Sequence, residues 1–387
     1  MSDSPLTIVA DENIPALEPL FGAFGRLRTC AGRTLSPEQV RDADVLLVRS
    51  VTAVNQQLLA GSRVRFVGTA TIGTDHVDQS WLAEQGIGFS SAPGCNADSV
   101  VDYVLAALFN LLAESGDNLR QKTLGIVGVG NVGGRLQQRL EALGVSLLLC
   151  DPPRQHQEAD TTAFVSLNEL LQQADIICLH TPLTTTGRWP TRHLLHADNL
   201  KLIKPDAILL NAGRGPVVDN KALLALSKQR PDLKLVLDVW EHEPEVSVAL
   251  AEHCRIATPH IAGYALDGKI RGTWMLYRAL CQHLGRSPEI ALDSVLPQAP
   301  VTSMTLSPGC SLLEPVRTVY DIYRDDRAFR QMLARGADGI PKGFDQLRRY
   351  YPERREFATL ALNGQVTPDM AATLAATGFN CHWRQYD

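Results

Sequence analysis

Short apolar runs alternate along the chain with longer stretches whose apolar positions recur at helical spacing. LTIVA, DVLLVRS and VRFVGTA come first, each followed by a polar or helix-patterned segment, which is the rhythm of parallel βαβ units. After the turn-rich SSAPGCNADS comes VVDYVLAALFNLLAES, apolar on most sides. It predicts a long buried helix, capped by Asp98 or Ser99, that connects two domains. A second series, LGIVGVG, VSLLLCD, ADIICLH, DAILLNAG, LKLVLDVW and CRIATPH, predicts six strands of one doubly wound sheet. DGKIRGTWMLYRALCQHL then reads as helix, and GRSPEIALDSVLPQAP as a proline-rich boundary. The remainder, about residues 300 to 387, is short of sheet patterning but long enough for a small module.

The pattern predicts an α/β protein with two doubly wound parallel-sheet, Rossmann-like domains and a small C-terminal α+β domain. With 387 residues, more than one domain is expected, because single cores seldom exceed about 200 residues. The net charge of −5 excludes a general affinity for nucleic acid, which needs a dense basic face. No basic leader and no long uncharged apolar run is found, so neither membrane insertion nor export is expected. The scattered cysteines, without a CxxC pair, read as reduced thiols of a cytoplasmic protein.

The candidate chemistry starts at GVGNVG, where Gly128, Gly130 and Gly133 have GxGxxG spacing between an apolar strand and an amphipathic helix. In that context Gly128 permits a tight turn, Gly130 lets backbone approach a pyrophosphate and Gly133 packs helix on strand, with Asn131 and Val132 opening the helix. The triplet alone also fits a plain strand-to-helix turn. Asp151 favours the dinucleotide: it ends the next strand, eighteen residues past Gly133, where a carboxylate binds ribose hydroxyls and repels a 2′-phosphate. NAD is therefore expected over NADP, with Arg154 working the other way.

Ligands of a doubly wound sheet lie beyond the strands' carboxyl ends. Those ends carry His180-Thr181-Pro182, Asn211-Ala212-Gly213-Arg214-Gly215, Asp238-Val239-Trp240 followed by EHEPE, and Pro259-His260-Ile261-Ala262-Gly263-Tyr264. An arginine, an acidic cluster and a histidine suit oxidation of a 2-hydroxy acid. The guanidinium anchors the carboxylate, the imidazole carries the proton, and a glutamate on its other nitrogen fixes the tautomer. EHEPE is a poor metal site, since it lacks a paired histidine one helical turn away and Pro244 breaks the helix. A solvated acidic loop is its bland alternative. Spacing leaves Glu241 and Glu243 both open as the partner of His260. With Glu243 in that role, Glu241 and His242 are expected to face solvent.

GVGNVG with Asp151, NAGRG, DVWEHEP and TPHIAG, in that order, resemble the D-isomer-specific 2-hydroxy acid dehydrogenases over roughly residues 1 to 285. The resemblance implies Arg214, Glu243 and His260 as catalytic residues. It implies Thr181, Ala212, Gly213, Arg214, Asp238 and Gly263 as cofactor contacts beside the glycine loop and Asp151. It also implies a discontinuous substrate-binding domain (1–97 with 265–290), an NAD-binding domain (98–264) and an added C-terminal domain (291–387) that makes a homodimer. Ser50, Thr71 and Tyr264 are the implied substrate contacts. A phosphorylated substrate would want a further cation, for which Arg49, Arg348 and Arg349 are candidates, the last two in trans across a dimer. Solvated faces are the alternative for such charge runs. NAGRG departs from the family, where Cys or Ser more often precedes the arginine, and glycine there is expected to loosen the backbone. The rival readings are a glycerate or phosphoglycerate dehydrogenase of the same family and a non-catalytic NAD-sensing corepressor, whose kind shares this fold.

Overall fold

The structure, a computed structural model, describes residues 5–157 and 164–383. They form two compact units, 1–96 with 266–298 and 97–265 with 299–387.

In the first unit, strands β1 (Leu6–Asp11), β2 (Gly25–Cys30), β3 (Val45–Val48), β4 (Phe66–Thr69) and β5 (Gly88–Ser90) form a parallel sheet ordered β2-β1-β3-β4-β5. Alternation along β3 sends Val45 and Leu47 to one face, with Leu276 and Leu280 of the helix Leu266–His283, and Leu46 and Val48 to the other, with Leu58 and Leu82. β2 and β5 escaped the apolar pattern. GRLRTC is a half-exposed edge strand that mixes arginines with apolar residues, and GFS is only three residues long.

The second unit holds β6 (Thr123–Val127), β7 (Ser146–Cys150), β8 (Ile176–Leu179), β9 (Ile208–Asn211), β10 (Lys234–Leu237) and β11 (Cys254–Ala257), all parallel and ordered β11-β10-β9-β8-β6-β7. The order reverses between β6 and β8, the switch point at which such sheets bind ligands. The helix Ala97–Ser115 is buried against one face, on Ile126, Cys178, Leu210 and Val236. It begins at Ala97, so Asp98 and Ser99 lie in its first turn instead of capping it. Asp98 pairs with Arg139 at 3.2 Å, and the Ser99 hydroxyl donates to Glu356 at 2.7 Å.

The C-terminal residues contain a parallel sheet that the sequence pattern did not announce, β12 (Ser303–Leu306), β13 (Ala361–Gly364) and β14 (Asn380–Cys381), ordered β12-β13-β14. Its strands are short, with only Leu306 and Leu362 fully buried. Leu306, Tyr320 and Leu362 join the core on one side of the nucleotide sheet, and Phe329, Met332 and Phe344 join the core on the other. This shared packing is why the segment belongs to the second unit. No helix among the described residues is long and apolar enough to cross a membrane.

Candidate active site

At the end of β6 the chain turns sharply. Gly128 has φ 87°, and a Cβ there would lie 2.8 Å from the Thr181 nitrogen. Gly133 is closer still, its missing Cβ falling 2.0 Å from the Gly128 carbonyl oxygen, so the helix Asn131–Ala142 sits directly on the loop. Gly130 is different: a Cβ there would meet no protein atom within 4 Å. Its open side faces space at a helix N-terminus, where unpaired N–H groups favour an anion. Asp151, just past β7, accepts from the Val129 N–H at 2.8 Å and the Arg154 N–H at 3.0 Å. The same carboxylate thus shapes the loop and stands beside it. Arg154 returns a hydrogen bond to the Val129 carbonyl at 2.8 Å and lies 5.5 Å from the Phe164 ring.

Across the switch point, the end of β8 holds the residue that sequence reasoning passed over. Both ring nitrogens of His180, and the hydroxyl of Thr181, are buried with no hydrogen-bond partner among the described residues. Burial pushes the His180 imidazole down to about 4, so the ring is neutral at pH 7. Buried polar groups are rarely left unpaired, and a bound polar group at this sheet edge would complete them. With the open face of Gly130 and the Asp151 carboxylate, the edge fits a dinucleotide. The signal in the sequence was the His-Thr-Pro triplet at a strand end.

After β9, Asn211 folds NAGRG on itself. Its side chain accepts from the Gly213 N–H and donates to the Arg214 carbonyl, both at 3.1 Å, and Arg214 Nη1 donates to the Gly213 carbonyl at 2.9 Å. Glycine does not loosen this turn as expected. A Cβ on Gly213 would sit 3.1 Å from the Leu179 carbonyl oxygen, so the position is tightly packed against β8.

Asp238, at the end of β10, is buried. Its carboxylate accepts from the Thr258 hydroxyl at 2.6 Å and from the Ile261 and Ala262 N–H groups at 2.8 and 2.9 Å, while its carbonyl accepts from the His260 N–H at 2.7 Å. Here it folds the histidine loop, and each of its carboxylate oxygens already has a partner within the chain. His260 adopts φ 59°, a left-handed conformation that is costly for a residue with a Cβ and persists only where its surroundings hold it.

His260 Nδ1 lies 2.7 Å from Glu243 Oε2, and Glu243 Oε1 accepts from the Trp240 N–H at 2.8 Å. A carboxylate only accepts, so Nδ1 carries the proton and Nε2 keeps its lone pair for a substrate. Burial works to raise the Glu243 carboxyl. The charge His260 carries when protonated, its hydrogen bond, the Trp240 N–H and the charge of Arg348 more than offset it, and the group is held below the usual glutamate range. Arg214, Glu243 and His260 therefore follow three adjacent strands, β9, β10 and β11.

Glu241 does not face solvent, contrary to expectation. Its side chain is 9% exposed, with one oxygen 2.5 Å from His193 Nε2 and the other accepting from the Asn220 N–H at 3.1 Å, where it braces the start of the helix Asn220–Gln229. Neighbouring carboxylates in EHEPE thus have separate tasks. His242 is exposed.

Tyr264 meets Arg348 within the same chain, whereas the sequence reading looked across a dimer. Arg348 Nε donates to the tyrosine oxygen at 3.0 Å, and its guanidinium lies 5.5 Å from that ring. Arg349 is exposed, over the Tyr350 ring. Arg49, Ser50 and Thr71 belong to the first unit. Arg49 and Ser50 follow β3, and Thr71 follows its neighbour β4, with its hydroxyl donating to the Gly73 carbonyl at 2.9 Å.

Residues 105–262 match the NAD binding domain of the D-isomer specific 2-hydroxyacid dehydrogenases. The chain belongs to that family of NAD-dependent oxidoreductases. Over almost its whole length it is similar to proteins named erythronate-4-phosphate dehydrogenase. The one from Ectopseudomonas mendocina is 51% identical over 376 residues, 96% of this chain and 98% of that one. The one from Edwardsiella ictaluri is 51% identical over 381 residues, 97% and 99% of the two chains. Among solved structures, the TT0316 protein of Thermus thermophilus is similar with TM-score 0.62 and 25% identity, over 73% of this chain and 99% of that one. Residues 295–378 match a domain of unknown function, DUF3410.

Proposed function

We propose that the protein oxidises 4-phospho-D-erythronate with NAD to (R)-3-hydroxy-2-oxo-4-phosphooxybutanoate, a step in making pyridoxine 5′-phosphate. The observation that carries the mechanism is the 2.7 Å contact of His260 Nδ1 with Glu243, which leaves Nε2 as the acceptor. The hydroxyl proton of the substrate passes to Nε2, and the resulting imidazolium is balanced by Glu243. Arg214 binds the substrate carboxylate with its planar fork and draws electron density toward the forming carbonyl. Bound NAD supplies the hydride acceptor for the same carbon. The glycine loop and the adjacent helix N-terminus hold the pyrophosphate, Asp151 the ribose, and Thr181, Ala212, Gly213 and Gly263 line the same strand ends. Ser50 and Thr71 are substrate contacts on the family resemblance, and Arg49 is a further candidate cation for the substrate phosphate. The protein works in the cytoplasm, a setting its eight free cysteines suit, and as a homodimer.

The test is turnover of phosphorylated and plain C4 and C3 hydroxy acids, each with NAD and NADP. The highest kcat/KM is expected for 4-phosphoerythronate with NAD. Turnover of 3-phosphoglycerate in its place would overturn the substrate assignment.

Glu243→Gln removes the carboxylate that balances the imidazolium formed as Nε2 takes the substrate proton, so kcat of the oxidation falls. The amide also cannot accept from Trp240 and His260 at once, which adds to the loss. Steady-state kinetics check this, and a parental kcat in a folded variant would break the pairing.

Arg348 is the cation placed beside Tyr264 and held by it, and it binds the substrate phosphate in this reading. Arg348→Ala should cut the preference for phosphorylated over plain erythronate roughly 10- to 100-fold, the worth of one hydrogen bond to a charged group. Arg349→Ala should leave that ratio unchanged. Competition assays with the two acids measure it.

A further inference from the structure

The segment that bears His260 is bonded at successive points to the C-terminal residues. The Ala257 N–H donates to Asp326 at 2.8 Å and Arg330 donates to the Cys254 carbonyl at 2.9 Å, while the Trp240 ring, which donates to the Thr258 carbonyl at 3.0 Å, lies 5.4 Å from Phe329. The deepest of these contacts is made by Arg354. The residue is 2% exposed, and its guanidinium lies 4.4 Å from the Tyr320 ring and donates through Nη2 to the Ala262 carbonyl and, at 3.3 Å, to the Ser99 carbonyl. Burying a charge is costly, and an apolar side chain would fill the same space at less expense. A charged, planar donor offers what an apolar group cannot, a strong hydrogen bond of fixed direction.

That direction matters at this loop. Asp238 takes the N–H groups of Ile261 and Ala262 on its carboxylate and that of His260 on its carbonyl, and Arg354 takes the carbonyl of Ala262. The left-handed turn at His260, φ 59°, is thus gripped by an anion on its amides and by a cation on its carbonyl. A left-handed turn at a residue with a Cβ persists only where its surroundings hold it, so loss of the second grip weakens the hold on the imidazole.

We propose that the C-terminal module, the domain of unknown function, acts through Arg354 as the positioning element of His260: Arg354 holds the Ala262 carbonyl and so keeps the imidazole aimed. The claim rests on His260 being the proton carrier. Arg354 touches neither substrate nor cofactor in this scheme.

The test compares the parent, Arg354→Lys, Arg354→Ala with and without added guanidinium, and His260→Asn as reference. It reads kcat, KM, NADH affinity and melting temperature. A lysine keeps the charge but cannot lie flat on Tyr320 and reach both carbonyls. The expected result is a folded Arg354→Lys whose kcat is down about 10- to 100-fold, the cost of a small displacement of a reacting group. KM and NADH affinity stay near parental, and guanidinium partly restores kcat in Arg354→Ala. Parental kcat in a folded Arg354→Lys overturns the proposal, as does a kcat loss that only tracks the fraction unfolded. If neither variant folds, hydrogen exchange of the unmodified protein decides. Peptides spanning 258–264 and 354–362 should open in one step, and early exchange of 258–264 alone refutes the clamp. If His260→Asn keeps parental kcat, the reading of the site itself has failed, and the positioning claim falls with it.

Discussion

His260→Asn lowers kcat by about 10²- to 10⁴-fold, the range that a positioned general base supplies, while NADH affinity stays near parental. Asparagine is the informative replacement because position 260 has φ 59°, a conformation asparagine adopts readily. Its backbone N–H still donates to the Asp238 carbonyl, so the loop survives and the assay reports the loss of the base. The substitution also strips Glu243 of a charge and a hydrogen bond that help hold its carboxyl below the usual range. A depressed carboxyl contributes stability above its unfolded pKa, and that contribution disappears as pH falls through the folded value. The variant should therefore melt below the parent at neutral pH, and the two melting curves should converge in acid. Parental kcat at the optimum, with NADH bound normally, would remove His260 from the chemistry.

Gly133→Ala weakens NADH binding by about 100-fold or more, on the scale at which a displacement of about 1 Å costs a functional site two orders of magnitude. The added Cβ would lie 2.0 Å from the Gly128 carbonyl oxygen, 3.0 Å from its carbon and 3.1 Å from Ile126 Cγ2. Backbone on one side and core on the other leave no flexible group to give way, so either the helix lifts or the loop moves. Gly130→Ala provides the contrast. Its Cβ meets no protein atom within 4 Å, so the fold should melt as the parent does, and any loss of NADH affinity comes from the ligand side. Titration of protein fluorescence with NADH, paired with melting curves, separates the two effects. Unchanged affinity in both variants would place the pyrophosphate elsewhere.

The six strands of the nucleotide sheet were legible because each carries a compact apolar run, buried on both faces in the central β8 and β9. β2 was not, since an edge strand half open to water needs no apolar alternation, and β12 to β14 were not, since short strands carry too few residues to show a period. The glycine loop and Asp151 were readable because each conformational demand falls on one residue at a set spacing. Glu241 shows the limit of such reading: as a carboxylate two positions from Glu243 it looked like surface, yet it is tied to His193 and Asn220, partners 48 and 21 positions away in the chain.

From the order of residues alone came the parallel architecture, the dinucleotide loop and an arginine, a glutamate and a histidine at the ends of neighbouring strands, because hydrophobic period and glycine spacing are local properties. Tertiary structure alone decided the rest: that Asp238 folds the histidine turn, that His180 stands buried without a partner among the described residues, and that Arg354 reaches Ala262 across 92 positions of chain. Such pairings depend on which distant backbone group arrives within hydrogen-bond reach, and no local pattern encodes that arrival.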